Sequence, residues 1–150
     1  MSRGRRIVCA ANIGRSPADV FEYVTTPGNW PIWHPSSIKV LGATDHSLAV
    51  GEECTEEYVV AGRHGTCVWK VLERDAPHAW TIGASPQGGG SATISYALSA
   101  AGDGTRFIRS MTYTMPNWFF GLLDGMFLKR RIAAESEEAV TRLKATLEGR

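Results

Sequence analysis

The closing stretch of the chain limits its fold most tightly. Phe119, Leu123, Met126 and Phe127 lead into Ala133, Val140, Leu143 and Leu147, mostly three, four or seven residues apart. Lys129, Arg131, Glu135, Glu138 and Arg142 fall between them, and Gly149 closes the run. Arg131 with Glu135 and Glu138 with Arg142 are i,i+4 pairs, each worth about 0.2–0.5 kcal/mol on an exposed face. The pattern predicts one amphipathic helix of about 28 residues, roughly 42 Å long. Its apolar side needs an equally long surface to lie on. A curved antiparallel sheet wrapped around the helix meets that demand, and it leaves a space between its concave face and the helix where a small molecule can sit.

The preceding sequence supplies such a sheet. Residues 7–13 read as a first strand. Ser16-Pro17-Ala18-Asp19 then starts a short helix: Ser16 caps free N–H groups, Pro17 stands where no N–H is needed, and Asp19 faces the positive helix end. Val20, Phe21, Tyr23 and Val24 form its apolar stripe, and Pro27-Gly28 ends it. Asn29-Trp30-Pro31-Ile32-Trp33-His34-Pro35 is a second, broken helical piece. Strands follow at about 38–42, 52–61, 64–74, 79–85, 91–99 and 105–115, punctuated by Gly62-Arg63, Ala76-Pro77, Gly88-Gly89-Gly90 and Gly102-Asp103-Gly104. The triple glycine lacks the Lys-Ser/Thr of a phosphate loop. The expected class is α+β, with about seven antiparallel strands, two short helices after the first strand, and the long C-terminal helix.

Composition excludes several alternatives. At 150 residues and 43% hydrophobic, the chain suits a single domain over 1–150 with a sizeable core. Sixteen Lys+Arg against fifteen Asp+Glu leave a net charge of +1, without the basic excess of a nucleic-acid binder. No apolar run is long enough to cross a bilayer, and residues 7–11 are too short for a signal-peptide core. Cys9, Cys54 and Cys67 are odd in number and at no metal-ligand spacing, which fits reduced thiols in a cytoplasm. Four histidines without His-x-x-x-His or Cys-x-x-Cys spacing give no metal site, and no cofactor is called for.

Strand alternation assigns the inward face. Cys54, Glu56, Tyr58 and Val60 share one side of their strand; on the next, Cys67, Trp69 and Val71 oppose His64, Thr66, Lys70 and Arg74. Trp80, Ile82, Ile94, Tyr96 and Leu98 face in, as do Phe107, Arg109, Met111 and Tyr113. One acid, Glu56, and one base, Arg109, thus fall on a face of Tyr, Trp, Met and Cys. A buried lone charge is costly, so Arg109 is expected to pair with Glu56 or with an anionic or carbonyl group of a ligand; a bulge that puts both in solvent is the alternative.

The element order resembles the helix-grip fold of the START-like superfamily, in its polyketide cyclase/dehydrase and lipid-transport (SRPBCC) group. The resemblance rests on residues 16–24 (SPADVFEYV), 29–35 (NWPIWHP) and 68–71 (VWKV), on Pro77, and on residues 104–107 (GTRF) and 143–148 (LKATLE). It implies a hydrophobic ligand cavity, without naming a ligand. It also places Trp33 and His34 over one end of that cavity. There His34 either exchanges protons or caps a turn, while Trp30 and Trp33 plug the domain.

The expected ligand-binding residues are Trp33, Glu56, Tyr58, Cys67, Trp69, Tyr96, Arg109, Met111, Tyr113, Phe119, Leu123 and Phe127. The leading expectation is a binding protein for an aromatic, polyketide-like or acyl compound. The alternative is a cyclase/dehydratase-type enzyme in which Arg109, Tyr96 and His34 stabilise an enolate, without a covalent nucleophile. The hydrophobic patch Trp118–Leu123 allows a third role, as a protein-interaction module; its other uses are a lipid-facing entrance with transient membrane contact, a docked helix start, or a homodimer contact in place of a monomer.

Overall fold

The computed structural model describes residues 5–85, 89–114 and 125–149. Seven strands form one antiparallel sheet: β1 (Arg5–Ile13), β2 (Ser37–Gly42), β3 (Glu53–Val60), β4 (Arg63–Asp75), β5 (Ala79–Ala84), β6 (Ala92–Ala101) and β7 (Gly104–Tyr113). Their order is β1-β7-β6-β5-β4-β3-β2. β2 to β7 is therefore a simple meander, closed by pairing the first strand with the last. Two short helices, α1 (Pro17–Val24) and α2 (Trp30–Trp33), follow β1, and α3 (Gly125–Glu148) lies in the concave face against β1 and α2. This is the helix-grip architecture expected from the sequence, with strand ends within two residues of expectation where both are described.

Local chemistry fixes these elements. The Asp19 N–H donates to Ser16 Oγ at 3.2 Å, and Pro17 occupies the first turn of α1. The far end of α3 is clamped onto the β1–α1 corner: Gly14 N–H donates to Glu148 Oε2 at 2.8 Å and Arg15 Nη1 to the Leu147 carbonyl at 3.0 Å. The two expected helix-surface pairs form, Arg131–Glu135 at 3.5 Å and Glu138–Arg142 at 2.6 Å.

Alternation along the strands sets the core. Cys54, Cys67, Trp69, Val71, Trp80, Ile82, Ile94, Tyr96, Leu98, Phe107 and Tyr113 are buried, while His64, Thr66, Lys70 and Arg74 are exposed. Trp80 stacks on Tyr96 with centroids 5.5 Å apart, Tyr96 meets Phe107 at 5.1 Å, and Trp33 approaches Tyr96 at 6.4 Å. Trp30 and Trp80 find acceptors for their indole N–H groups in the carbonyls of Val24 and Leu48. These rings fill one end of the space between sheet and helix.

One helical expectation is corrected. Phe127 is 47% exposed and does not face the sheet; Leu128 and Ile132 are buried instead, followed by Ser136, Ala139, Val140, Leu143 and Leu147. At 3.6 residues per turn Phe127 stands about 160° round the axis from Leu143, whereas Leu128 stands about 60° away. Two adjacent hydrophobic residues offered two phases, and packing on the sheet selected the second.

Candidate functional site

A cavity of about 150 Å³ opens between the concave sheet face and α3. That is many times the ~10–15 Å³ one water needs. Each strand from β3 to β7 contributes its inward residues, α2 and α3 supply more, and connecting residues such as His34 and Ser36 complete the wall. Trp33, His34, Glu56, Tyr58, Cys67, Trp69, Tyr96, Arg109, Met111 and Tyr113 all line it. Phe127 does not, and Phe119, Leu123 and the Trp118–Leu123 patch lie outside the described residues. Tyr58 is aimed by a feature not read from the sequence. It pairs across the strands with Gly65, where a Cβ would lie 2.5 Å from the Tyr58 ring, so only glycine lets the ring lie over that backbone.

The polar groups concentrate near α2 and the middle of α3. Arg109 sits at the centre of β7, opposite Tyr96 on β6 and Cys9 on β1, and is only 4% exposed. Its Nη1 donates to Ser136 Oγ at 3.1 Å, and among the described residues the Tyr96 hydroxyl is a second partner. Both partners are neutral. The expected pairing with Glu56 does not form: Glu56 Oε1 instead accepts the Trp69 indole N–H at 2.9 Å. Glu56 and Arg109 stand on strands separated by three others, and each takes the partner its own neighbourhood offers. Buried Trp33 Nε1, Arg109 Nε and the Tyr113 hydroxyl have no hydrogen-bond partner among the described residues. All three belong to the cavity wall.

Protonation follows from burial. Glu56 is pushed up by loss of solvent, which the Trp69 bond and the Arg109 charge only partly oppose. His34 is held well below its ordinary value by burial, reinforced by the charges of Arg109 and Arg142. Ser36 N–H donates to His34 Nδ1 at 3.1 Å. A backbone N–H can only donate, so Nδ1 carries the lone pair and the imidazole proton sits on Nε2. His34 is therefore a neutral hydrogen-bond donor whose basic nitrogen is occupied. Burial pushes Tyr96 up to about 12, against the opposing Arg109, so it remains a phenol. The thiols of Cys9 and Cys54 are pushed to about 11 and 12, and Cys67 also upward, chiefly by burial. Protonated thiols are poor nucleophiles.

Three further polar residues were not singled out as site residues from the sequence. Ser136 lies on the buried side of α3, where a serine between Ile132 and Ala139 was the available signal. Ser36 Oγ donates to Glu135 Oε2 at 2.6 Å and so ties the start of β2 to α3, fixing His34 near Ser136. That contact joins residues 99 apart, and no local pattern announces it. Among the described residues no group of three His, Cys, Asp or Glu could hold a metal. The arrangement can grip an oxygen that is negative or becoming negative, and surround the remaining ligand with apolar and aromatic wall.

The family described as "Polyketide cyclase / dehydrase and lipid transport" matches residues 6–148. The chain belongs to this family. No curated protein matches it. Among solved structures the chain is similar to protein CV1439 from Chromobacterium violaceum, at 14% identity and TM-score 0.72, over 95% of this chain and 96% of that one. It is also similar to Ara h 8.0201, at 13% identity and TM-score 0.69, over 98% and 99% of the two chains. A third is the di-domain ARO/CYC StfQ from the steffimycin biosynthetic pathway, at 13% identity and TM-score 0.76, over 98% of this chain and 52% of that one. At such identities the likeness concerns the fold, and it agrees with the helix-grip assignment. Among the described residues of this family member, no helix is long and apolar enough to cross a membrane.

Proposed function

We propose that this chain binds an apolar small molecule, ring-containing or acyl, in the cavity between the sheet and α3. The supporting observation is the combination of an aromatic and aliphatic wall with buried polar atoms that have no partner among the described residues. Filled cores satisfy such atoms, whereas ligand sites leave them for the ligand. The three free thiols support a cytoplasmic location, with the chain acting as a monomer or homodimer.

Native mass spectrometry on protein purified gently from its host tests the reading. A stoichiometric extra mass of a few hundred daltons, lost on denaturation, is the expected result. A bare chain that also gains no mass from a panel of aromatic and acyl compounds overturns it.

A second reading is favoured by the clustering of Arg109, Tyr96 and His34: a cyclase/dehydratase-type enzyme acting on a ketone-bearing intermediate. Donors preorganised in a dry site stabilise the enolate oxygen as charge develops there. With its basic nitrogen occupied, His34 serves in this reading as donor or acid. Substitutions at these three positions then abolish turnover while binding persists. In a carrier they change affinity alone.

A further inference from the structure

Arg109 presents an unfinished charge. A guanidinium keeps its proton at every accessible pH and carries five N–H donors. Taking such an ion from water costs several kcal/mol, which proteins offset with a carboxylate and additional hydrogen bonds. Among the described residues no carboxylate forms an ion pair with it. Its partners among them are Ser136 Oγ at 3.1 Å and the Tyr96 hydroxyl, and Nε is buried with none. The two acids lining the cavity are already engaged: Glu135 with Ser36 and Arg131, Glu56 with Trp69. The surrounding polar groups are also donors. The Tyr96 hydroxyl, accepting from Arg109, has its own proton to give, and His34 directs its basic nitrogen to the Ser36 backbone and keeps its proton on Nε2.

Resting on the binding role proposed above, we infer that the ligand is an organic acid, whose carboxylate completes the ion pair with Arg109 while its apolar body lies along Tyr58, Trp69, Ile94 and Met111. His34 Nε2–H and the Tyr96 hydroxyl are further donors to the same anion. Hydrogen bonds to a charged group are stronger than those to a neutral one, by an amount worth about tenfold in affinity.

Matched probe pairs differing only in charge test this by titration calorimetry at neutral pH: 2-naphthoate against 2-naphthamide, and octanoate against octanamide. The expected result is that each acid binds the parent protein at least about tenfold tighter than its amide. Arg109→Met, which keeps the length and removes the charge, should bring acid and amide to equal affinity. Should that variant fail to fold, the acid/amide ratio on the parent decides alone. Ser136→Ala, which leaves the guanidinium in place, should keep the preference. Equal binding of acid and amide by the parent overturns the inference and leaves the binding role standing. Failure of all four probes to bind at millimolar concentration overturns both. An acid preference that survives in folded Arg109→Met also overturns the assignment.

Discussion

Glu56 shows how one half-buried side chain links the cavity to stability. Its carboxyl value is raised, so between the ordinary 4.5 and the higher value in the fold the folded chain binds more protons than the unfolded chain. Stability therefore falls as pH rises through that window and stays low above it. Glu56→Gln keeps an acceptor for the Trp69 indole and removes the charge. It should melt above the parent at mildly alkaline pH and converge with it well below 4.5, at about 2–4 °C per kcal/mol for a chain of this size. Paired thermal scans across pH check this. The thiols give a second residue-scale expectation: Cys9, Cys54 and Cys67 are free, buried and pushed upward, so a thiol reagent at neutral pH should label none of them quickly in the native protein and all three after denaturation. One fast-reacting native thiol would reopen covalent catalysis. The inward positions of Cys54, Glu56 and Cys67 were legible because side chains alternate along their strands; the hydrogen-bond partners were not, since Arg109–Ser136 and Ser36–Glu135 join distant segments.

Among the elements, α3 separates what pattern can and cannot settle. Its existence, its direction of burial near Leu143 and Leu147, and its surface ion pairs follow from spacing alone. Its phase near Phe127 and Leu128 does not, because both residues are apolar and only the sheet distinguishes them. Leu128→Ala should cost about 2–5 kcal/mol as a buried truncation and disturb ligand binding. Phe127→Ala should cost less and leave binding unchanged. Chemical denaturation and probe titration on the two variants check the assignment, and the reverse order of effects would restore the Phe127 phase. Helix α1 is the opposite case: Ser16, Pro17 and Asp19 specify its start locally, and the structure contains the cap they specify.

For the whole molecule, binding and folding share one equilibrium. A ligand that occupies only the folded cavity stabilises the chain by about 2.7 kcal/mol at a hundred times its Kd. That corresponds to a rise in Tm of roughly 5–11 °C at this chain length. Calorimetric scans with the better-binding acid probe should show it, and an unchanged Tm at saturation would mean the probe sits outside the folded cavity. The sequence by itself determined the class of elements, their order, the inward face of β3 to β7 and the presence of a cavity-forming sheet and helix, because these depend on periodicity, caps and turns acting over a few residues. Tertiary structure decided which acid and base meet which partner, which tautomer His34 holds, and which turn of α3 faces the sheet. Those outcomes depend on distances between residues far apart in the chain, and no local preference encodes a distance.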